Sequence, residues 1–130
     1  MASNPRVLLV EDDLFFAGRI MSVLKKQGYP AERATTSENA LAKISSSRPD
    51  VVVLNLASRK FDGIDLIRSI SSKPDHPRIL AYLSHVKIPD VRDEVLAAGA
   101  DMICANSAIT MRLPGILADV LSGVSSASDI

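Results

Sequence analysis

The feature that most restricts the fold of this chain is a run of four apolar residues, 51–54, that ends in the polar Asn55. Three of the four are valines, and the run follows Pro49 in an Arg-Pro-Asp turn. An apolar run without polar alternation is typical of a strand buried on both faces, as in the centre of a parallel sheet. Open α/β sheets carry their functional groups at the carboxyl ends of such strands. We therefore expect Asn55 to lie at the functional edge of the fold.

Strand and helix patterns alternate along the rest of the chain. Short strands are predicted over residues 6–10, 31–34, 51–54, 78–83 and 102–105. Apolar residues at helical spacing follow each strand. They predict a helix over 14–27 closed by Gly28, one capped by Thr36 or Ser37 that dissolves at serines 45–47, one after Asp62, one over 89–98, and one over 113–121. Five strand–helix pairs predict an α/β protein with a parallel sheet.

Length and composition predict one ordinary globular domain. Residues 1–122 form the predicted domain, and the Ser-rich residues 123–130 are interpreted as a flexible tail or the start of a linker. Fifteen basic residues balance fifteen acidic ones, so the charge favours neither nucleic acid nor an anionic membrane. No apolar run is long enough to cross a bilayer, and the first residues do not resemble a signal peptide.

The single cysteine, Cys104, excludes an intrachain disulfide. Its position inside an apolar strand predicts a buried, inert thiol. A chain without disulfides fits a reducing compartment, so we expect a cytoplasmic protein that is a monomer or a weak homodimer.

Polar residues stand where the predicted strands end. Glu11 and Asp12 follow the first strand, Asn55 the third, Ser84 the fourth and Asn106 the fifth. If these strands are neighbours, the five side chains share one crevice. Two simpler interpretations stay open, since acidic residues in a first helical turn complement the helix dipole and a strand-end serine can satisfy backbone groups.

Several of these segments together resemble the response-regulator receiver domain, the CheY-like module of two-component signalling. The similar segments are Val-Leu-Leu-Val-Glu-Asp-Asp at 7–13, Thr-Ser-Glu-Asn-Ala-Leu at 36–41, the interval from Asn55 to Asp62-Gly63, and Ala-Gly-Ala-Asp at 98–101. The resemblance implies a flavodoxin-like (βα)5 fold, doubly wound, with a five-stranded parallel sheet in the order 2-1-3-4-5 and helices on both faces. It also implies a role in phosphorelay signal transduction.

The resemblance assigns a role to each strand-end residue. Glu11 and Asp12 match the acidic pair that helps to hold Mg²⁺, and Ser84 matches the hydroxyl residue that binds the phosphoryl group. Asn55 stands where the family has its phosphoacceptor Asp, Asn106 where it has a Lys, and Ile103 where it has an aromatic switch residue. The acidic pair and the hydroxyl are therefore kept, while the nucleophile, the ammonium and the aromatic ring are replaced.

These replacements predict a silent site. A carboxamide is a poor nucleophile and cannot form the acyl phosphate that a carboxylate forms. Mg²⁺ prefers anionic oxygen ligands, so we expect no cofactor and weak Mg²⁺ binding at best. Losing one anion at Asn55 and one cation at Asn106 leaves the local charge unchanged. We expect an atypical, non-enzymatic receiver that acts independently of phosphorylation.

Three functional hypotheses follow. The first is a protein-interaction module that meets a histidine kinase, another regulator or an output domain through its fourth helix, fifth strand and fifth helix. The apolar contact candidates on that face are Ile88, Val91, Ile109, Met111 and Leu113. The second is a small-ligand or metal-binding domain that reuses the acidic crevice. The third is a conventional phosphoreceiver with an Asp→Asn change at position 55, which Asn106 argues against because a designed silencing change leaves the Lys intact.

Three loop residues carry secondary hypotheses. Arg59 and Lys60 are by default solvated loop charges, and the alternative is that one folds back onto Glu11 or Asp12 as a substitute cation. His85 is by default a solvent-facing residue, and the alternative is a partial lid over the crevice.

Overall fold

The computed structural model describes residues 4–123, over which strands and helices alternate. The strands are β1 (Val7–Val10), β2 (Ala31–Ala34), β3 (Val51–Asn55), β4 (Arg78–Leu83) and β5 (Met102–Ala105). The helices are α1 (Leu14–Lys26), α2 (Ser37–Ser47), α3 (Gly63–Ser71), α4 (Ile88–Ala98) and α5 (Asn106–Ser122), with a 3₁₀ turn at His85–Lys87 before α4. The five predicted strand–helix pairs are confirmed.

All five strands are parallel and lie in the order β2-β1-β3-β4-β5. The residues of β1 and β5 are all buried, as are the four apolar residues of β3, whereas β2 has the polar sequence Ala-Glu-Arg-Ala and is half-buried. A polar strand suits the edge of a sheet, because an edge strand pairs with a neighbour on one side only and is less completely buried than a central strand. The predicted α/β flavodoxin-like topology is therefore confirmed.

Helices cover both faces of the sheet, and each face has its own core. Successive side chains of a strand point to opposite faces. Leu9, Val53, Leu80 and Met102 pack against α1 and α5 on one face. Val10, Leu54, Ala81 and Ile103 pack against α2, α3 and α4 on the other. The residue that follows Val10 or Leu54 therefore returns to the face covered by α1 and α5.

Local signals set most of the helix starts. Asp13, Thr36 and Asp62 cap α1, α2 and α3, each accepting a hydrogen bond from a backbone N–H three residues later. Gly28 follows α1 with φ of +79°, a conformation that glycine adopts without strain. The helix α2 ends at Ser47, within the serine run where its end is predicted, and Arg48 follows in the left-handed conformation.

The last helix is longer than the sequence predicts. It begins at Asn106 rather than at 113 and is kinked at Arg112, whose φ of −133° and ψ of 21° are not helical. Pro114 lies in the first turn after the kink, where its missing N–H has no helical partner to lose. The buried residues Ile109, Leu113, Ile116 and Val120 keep helical spacing across the kink, so one face of α5 is buried on both sides of Arg112.

The predicted apolar contact residues differ in exposure. Ile109 and Leu113, predicted as contact candidates, are fully buried in the core beneath α5, so that part of the prediction is wrong. Ile88 and Val91 are half-buried against the core beneath α4, and Met111 is 81% exposed. The other large apolar side chains that are strongly exposed among the described residues are Leu14, Phe15 and Val86.

Three expectations concern the chain as a whole. Of the predicted tail, 123–130, only Gly123 is described, and it ends α5; residues 124–130 lie outside the described residues. Within residues 4–123, no helix combines the length and apolar character needed to span a bilayer. Cys104 is a buried free thiol, as predicted, and burial raises its pKa to about 12.

Candidate functional site

A row of four side chains crosses the sheet at the carboxyl ends of the strands. Asn55 of β3 is the register partner of Tyr82 on β4, and Tyr82 is the register partner of Cys104 on β5. Glu11 follows the last residue of β1, and strand alternation directs all four toward α1 and α5. We call Glu11, Asn55, Tyr82 and Cys104 the strand-end row. It places a carboxylate, an amide and a phenol side by side.

The Glu11 carboxylate is the centre of this row. Glu11 is 1% exposed, the one buried charged residue among those described. Its Oε1 accepts a hydrogen bond from the Tyr82 hydroxyl at 2.7 Å. Its Oε2 accepts one from Asn55 Nδ2 at 2.9 Å and another from the backbone N–H of Asp13 at 3.0 Å. Both carboxylate oxygens are therefore occupied by neutral donors from three parts of the chain.

The Asn55 amide is fixed in one orientation. Its Nδ2 donates to Glu11, and its Oδ1 accepts from the backbone N–H of Ala57 at 2.9 Å. A flipped amide would set its oxygen against the Glu11 carboxylate and its NH₂ against the Ala57 N–H, which is unfavourable at both ends. The amide oxygen thus faces the backbone of the loop after β3.

Tyr82 is the site residue that the sequence interpretation missed, because it was counted as part of an apolar strand. It is 1% exposed, and its ring stacks on Phe16 with centroids 5.5 Å apart. Burial, followed by the negative charge of Glu11, raises the pKa of the Tyr82 phenol far above its ordinary value. A buried tyrosine needs a partner for its hydroxyl, and the register with Asn55 is the signal that points to Glu11.

The acidic run after β1 divides into three roles. Asp13 caps α1 by accepting from the Phe16 N–H at 2.9 Å, and no acidic residue lies in the first turn of α1. Glu11 is committed to the strand-end row. Asp12 is half-buried, and its carboxylate forms no hydrogen bond or ion pair with any residue of the described range. Of the acidic pair that the family resemblance assigns, Glu11 is therefore hydrogen-bonded through both oxygens and Asp12 is free of hydrogen bonds within the described range.

Ser84, Asn106 and Ile103 lie near this edge, and within residues 4–123 no side-chain hydrogen bond joins them to the strand-end row. Ser84 follows β4 and is half-buried, and its carbonyl accepts from the Lys87 N–H at 2.9 Å. Asn106 is the half-buried first residue of α5. Ile103 is 1% exposed and faces the opposite core beneath α4. The roles that the resemblance gives to these residues stay predictions.

The loop charges Arg59 and Lys60 agree with their default interpretation as solvated residues. Arg59 and Lys60 are both exposed, and the ion pairs of the described range join Lys43 to Glu32, Arg68 to Glu94 and Arg78 to Asp101. The hypothesis that either loop residue folds back onto the acids is therefore wrong. The physical reason for their exposure is that an ion pair at the surface gains little over full hydration of a long charged side chain.

One basic side chain does reach the acidic edge, although the sequence interpretation did not include it. Arg33 on β2 donates from Nε to the backbone carbonyl of Glu11 at 2.9 Å and not to its carboxylate. His85 is exposed at the start of the 3₁₀ turn, in agreement with its default interpretation.

The donors at this edge are a poor match for Mg²⁺, which takes several hard oxygen ligands. Glu11 and the Asn55 oxygen already accept protein hydrogen bonds, and Asp12 alone presents an uncommitted carboxylate. Across residues 4–123, no three His, Cys, Asp or Glu side chains are grouped so that they could hold a metal ion.

Comparisons with known proteins agree with this architecture. The family model of the response regulator receiver domain matches residues 7–106. The response regulator MprA of Mycolicibacterium vanbaalenii is 34% identical over 96 residues, which cover 74% of this chain and 41% of that protein. The chain thus spans about two fifths of the length of such curated relatives.

Solved structures are also similar. The signal receiver domain of a response regulator from Bermanella marisrubri is 28% identical, with a TM-score of 0.79 over 92% of this chain and 99% of that one. The chemotaxis response regulator CheY4 of Vibrio cholerae shares the fold at 21% identity, with a TM-score of 0.76 over 88% of this chain and 99% of that one. From the family match, the relatives and the topology together, the chain belongs to the response regulator receiver domain family of two-component signalling.

Proposed function

We propose that this receiver domain is a phosphorylation-independent interaction module, with no enzymatic activity of its own and no bound cofactor. The observation that carries the proposal is the hydrogen bond from Asn55 Nδ2 to Glu11 Oε2 at 2.9 Å. It places an amide, oriented as a donor, at the position where the family resemblance puts the phosphoacceptor.

The chemistry of Asn55 supports this proposal. Transfer of a phosphoryl group to a side chain needs an anionic oxygen that attacks phosphorus. The Asn55 oxygen is neutral and accepts from the Ala57 N–H, while its nitrogen donates a proton and has no available lone pair. The neighbouring carboxylate, Glu11, is buried with both oxygens hydrogen-bonded, so it does not take over as a nucleophile.

The charges at the carboxyl edge of the sheet also support the proposed silent site. A phosphoryl group carries two negative charges near pH 7 and needs cations to balance them. Glu11 and Asp12 supply negative charge, whereas Asn106 is neutral and the loop cations Arg59 and Lys60 are exposed and unpaired with these acids. A phosphorylated state would therefore be strongly disfavoured in the unmodified chain.

The proposed partner is a protein: a histidine kinase, another regulator or an output domain. The face formed by α4, β5 and α5 presents the exposed Met111 and the half-buried Ile88 and Val91 as apolar contacts. The balanced charge of the chain gives no reason to propose nucleic acid or membrane as a direct partner of this domain. The proposed location is the cytoplasm.

The decisive experiment is phosphorylation by a small phosphodonor. The wild-type chain is incubated with Mg²⁺ and the donor and then weighed by intact mass spectrometry, beside a conventional receiver labelled in parallel. We expect no phosphoryl adduct on the wild-type chain. A stoichiometric adduct that is stable in acid and labile in alkali would overturn the proposal.

Two variants separate this proposal from a conventional receiver with a single change. Asn55→Asp restores the nucleophile but not the cation, so little labelling is expected. Asn55→Asp combined with Asn106→Lys restores both charges, and labelling is expected to return. Full labelling of the single variant would favour the conventional receiver.

The ligand-binding alternative has its own test. A thermal-shift screen of the wild-type chain against divalent cations and nucleotides measures whether any of them binds the folded state. We expect no significant shift. A stabilisation that grows with ligand concentration would favour a small-ligand or metal-binding domain.

A further inference from the structure

We propose that Tyr82 is a positioning residue that closes the acidic pair, Glu11 and Asp12, to divalent cations by holding the Glu11 carboxylate. The inference rests on the proposed silent site, and it assigns the closure to a specific hydroxyl that the family resemblance does not identify. It follows from the contacts of the strand-end row.

The geometry of the row explains why a tyrosine reaches this carboxylate. Neighbouring strands are about 4.8 Å apart, so Glu11 and Tyr82 are separated by roughly two strand spacings with β3 between them. A long phenol and an extended glutamate side chain span this gap, and their oxygens meet at 2.7 Å. Stacking on Phe16 holds the Tyr82 ring in the orientation that this hydrogen bond requires.

The hydroxyl does what a cation would otherwise have to do. A carboxylate that is 1% exposed is costly unless charge or hydrogen bonds replace its lost hydration. Tyr82, Asn55 and the Asp13 N–H provide three donors to the two oxygens of Glu11. The carboxylate is thus satisfied without a metal ion and without a basic side chain.

The same bond opposes metal binding. A cation that used Oε1 of Glu11 would have to displace the Tyr82 hydroxyl, which is buried among apolar residues and has no other partner in the described part of the chain. An unsatisfied buried hydroxyl is strongly unfavourable. Removing that hydroxyl should therefore both weaken the fold and give Oε1 back to a cation.

The test compares Tyr82→Phe with wild type. Chemical unfolding midpoints are measured in EDTA, in millimolar MgCl₂ and in millimolar MnCl₂. In EDTA, Tyr82→Phe should unfold at a lower denaturant concentration than wild type. Divalent cations should raise the midpoint of Tyr82→Phe and leave that of wild type unchanged, because only the variant has a free Glu11 oxygen.

Tyr29→Phe is the matched control, since Tyr29 is the only other tyrosine and is half-buried before β2, at the opposite end of the sheet. It should show neither the loss in EDTA nor the gain with cations. Equal stabilisation of wild type and Tyr82→Phe by Mg²⁺ would overturn the inference. A Tyr82→Phe variant whose unfolding midpoint does not respond to cations would also overturn it. That outcome would leave the proposed silent site intact, because the phosphodonor experiment on wild type tests the silent site separately.

A spectroscopic measurement covers the case in which Tyr82→Phe does not fold. The chain has no tryptophan, so in Tyr29→Phe all near-ultraviolet tyrosine signal comes from Tyr82. Ultraviolet resonance Raman should report a phenol that donates a strong hydrogen bond, and Mg²⁺ should not alter the spectrum. A phenol spectrum typical of an exposed or accepting hydroxyl would refute the contact with Glu11.

Discussion

Asn55→Asp is a nearly isosteric change whose effect on stability depends on the contact between Asn55 and Glu11. The amide donates to Glu11 Oε2 at 2.9 Å. A carboxylate in place of the amide loses that hydrogen bond. It also sets a second negative charge beside the Glu11 carboxylate, which is 1% exposed. We expect a substantial loss of stability in buffer without divalent cations.

The size of the loss can be estimated from this distance. Two unit charges about 3 Å apart repel by about 5 kcal/mol at an effective dielectric constant of about 20. The lost hydrogen bond to a charged acceptor contributes about 1.5 to 3 kcal/mol. Rotation of the new side chain toward solvent relieves part of the repulsion, so a net loss of about 2 to 4 kcal/mol is expected.

Urea unfolding followed by circular dichroism measures this loss at neutral pH in EDTA. Asn55→Ala is the matched control, because it removes the donor without adding a charge and should cost about 1.5 to 3 kcal/mol. Asn55→Asp should be the less stable of the two, because it adds the charge repulsion to the loss of the hydrogen bond. An Asn55→Asp variant as stable as wild type would refute the reasoning.

Two further predictions concern the buried Cys104 thiol and Tyr82 phenol, and the N-terminal cap of α1. Burial raises the pKa of Cys104 to about 12, and the pKa of Tyr82 is raised as well, so the unfolded chain loses these protons first as pH rises. Urea unfolding should show a free energy of unfolding that falls above about pH 9. The fall should be about 1.4 kcal/mol per pH unit for the Cys104 thiol, and the same again for the Tyr82 phenol, once the pH exceeds the pKa of that group in the unfolded chain. A free energy of unfolding that stays constant up to about pH 11 contradicts this. Asp13→Ala should cost about 1 kcal/mol by removal of the α1 cap, while Asp12→Ala costs little; equal losses would contradict the assigned cap.

The fold was largely readable from the sequence because its signals are local. The apolar run of β3 and the polar composition of β2 identify a central and an edge strand. The proximity of Glu11 and Asn55 follows from the parallel sheet, since neighbouring strands bring their carboxyl ends to the same edge.

The remaining features depend on tertiary geometry that a linear pattern does not contain. Tyr82 looks like a core residue in sequence, and its role appears only when the register places it beside Asn55. Ile109 and Leu113 are apolar residues of the predicted contact face, and only the packing of α5 on the sheet shows that they are buried.

The hydrogen bond from the Asn55 amide to Glu11 keeps the strand-end row from accepting a phosphoryl group. Two-dimensional ¹H–¹⁵N spectra of the wild-type chain, recorded before and after addition of Mg²⁺ and a small phosphodonor, test this statement. We expect the Asn55 side-chain resonances to include a proton protected from exchange and to stay in place after both additions. Shifts at Asn55, Ser84 and Asn106 that appear only with Mg²⁺ and the donor would contradict it.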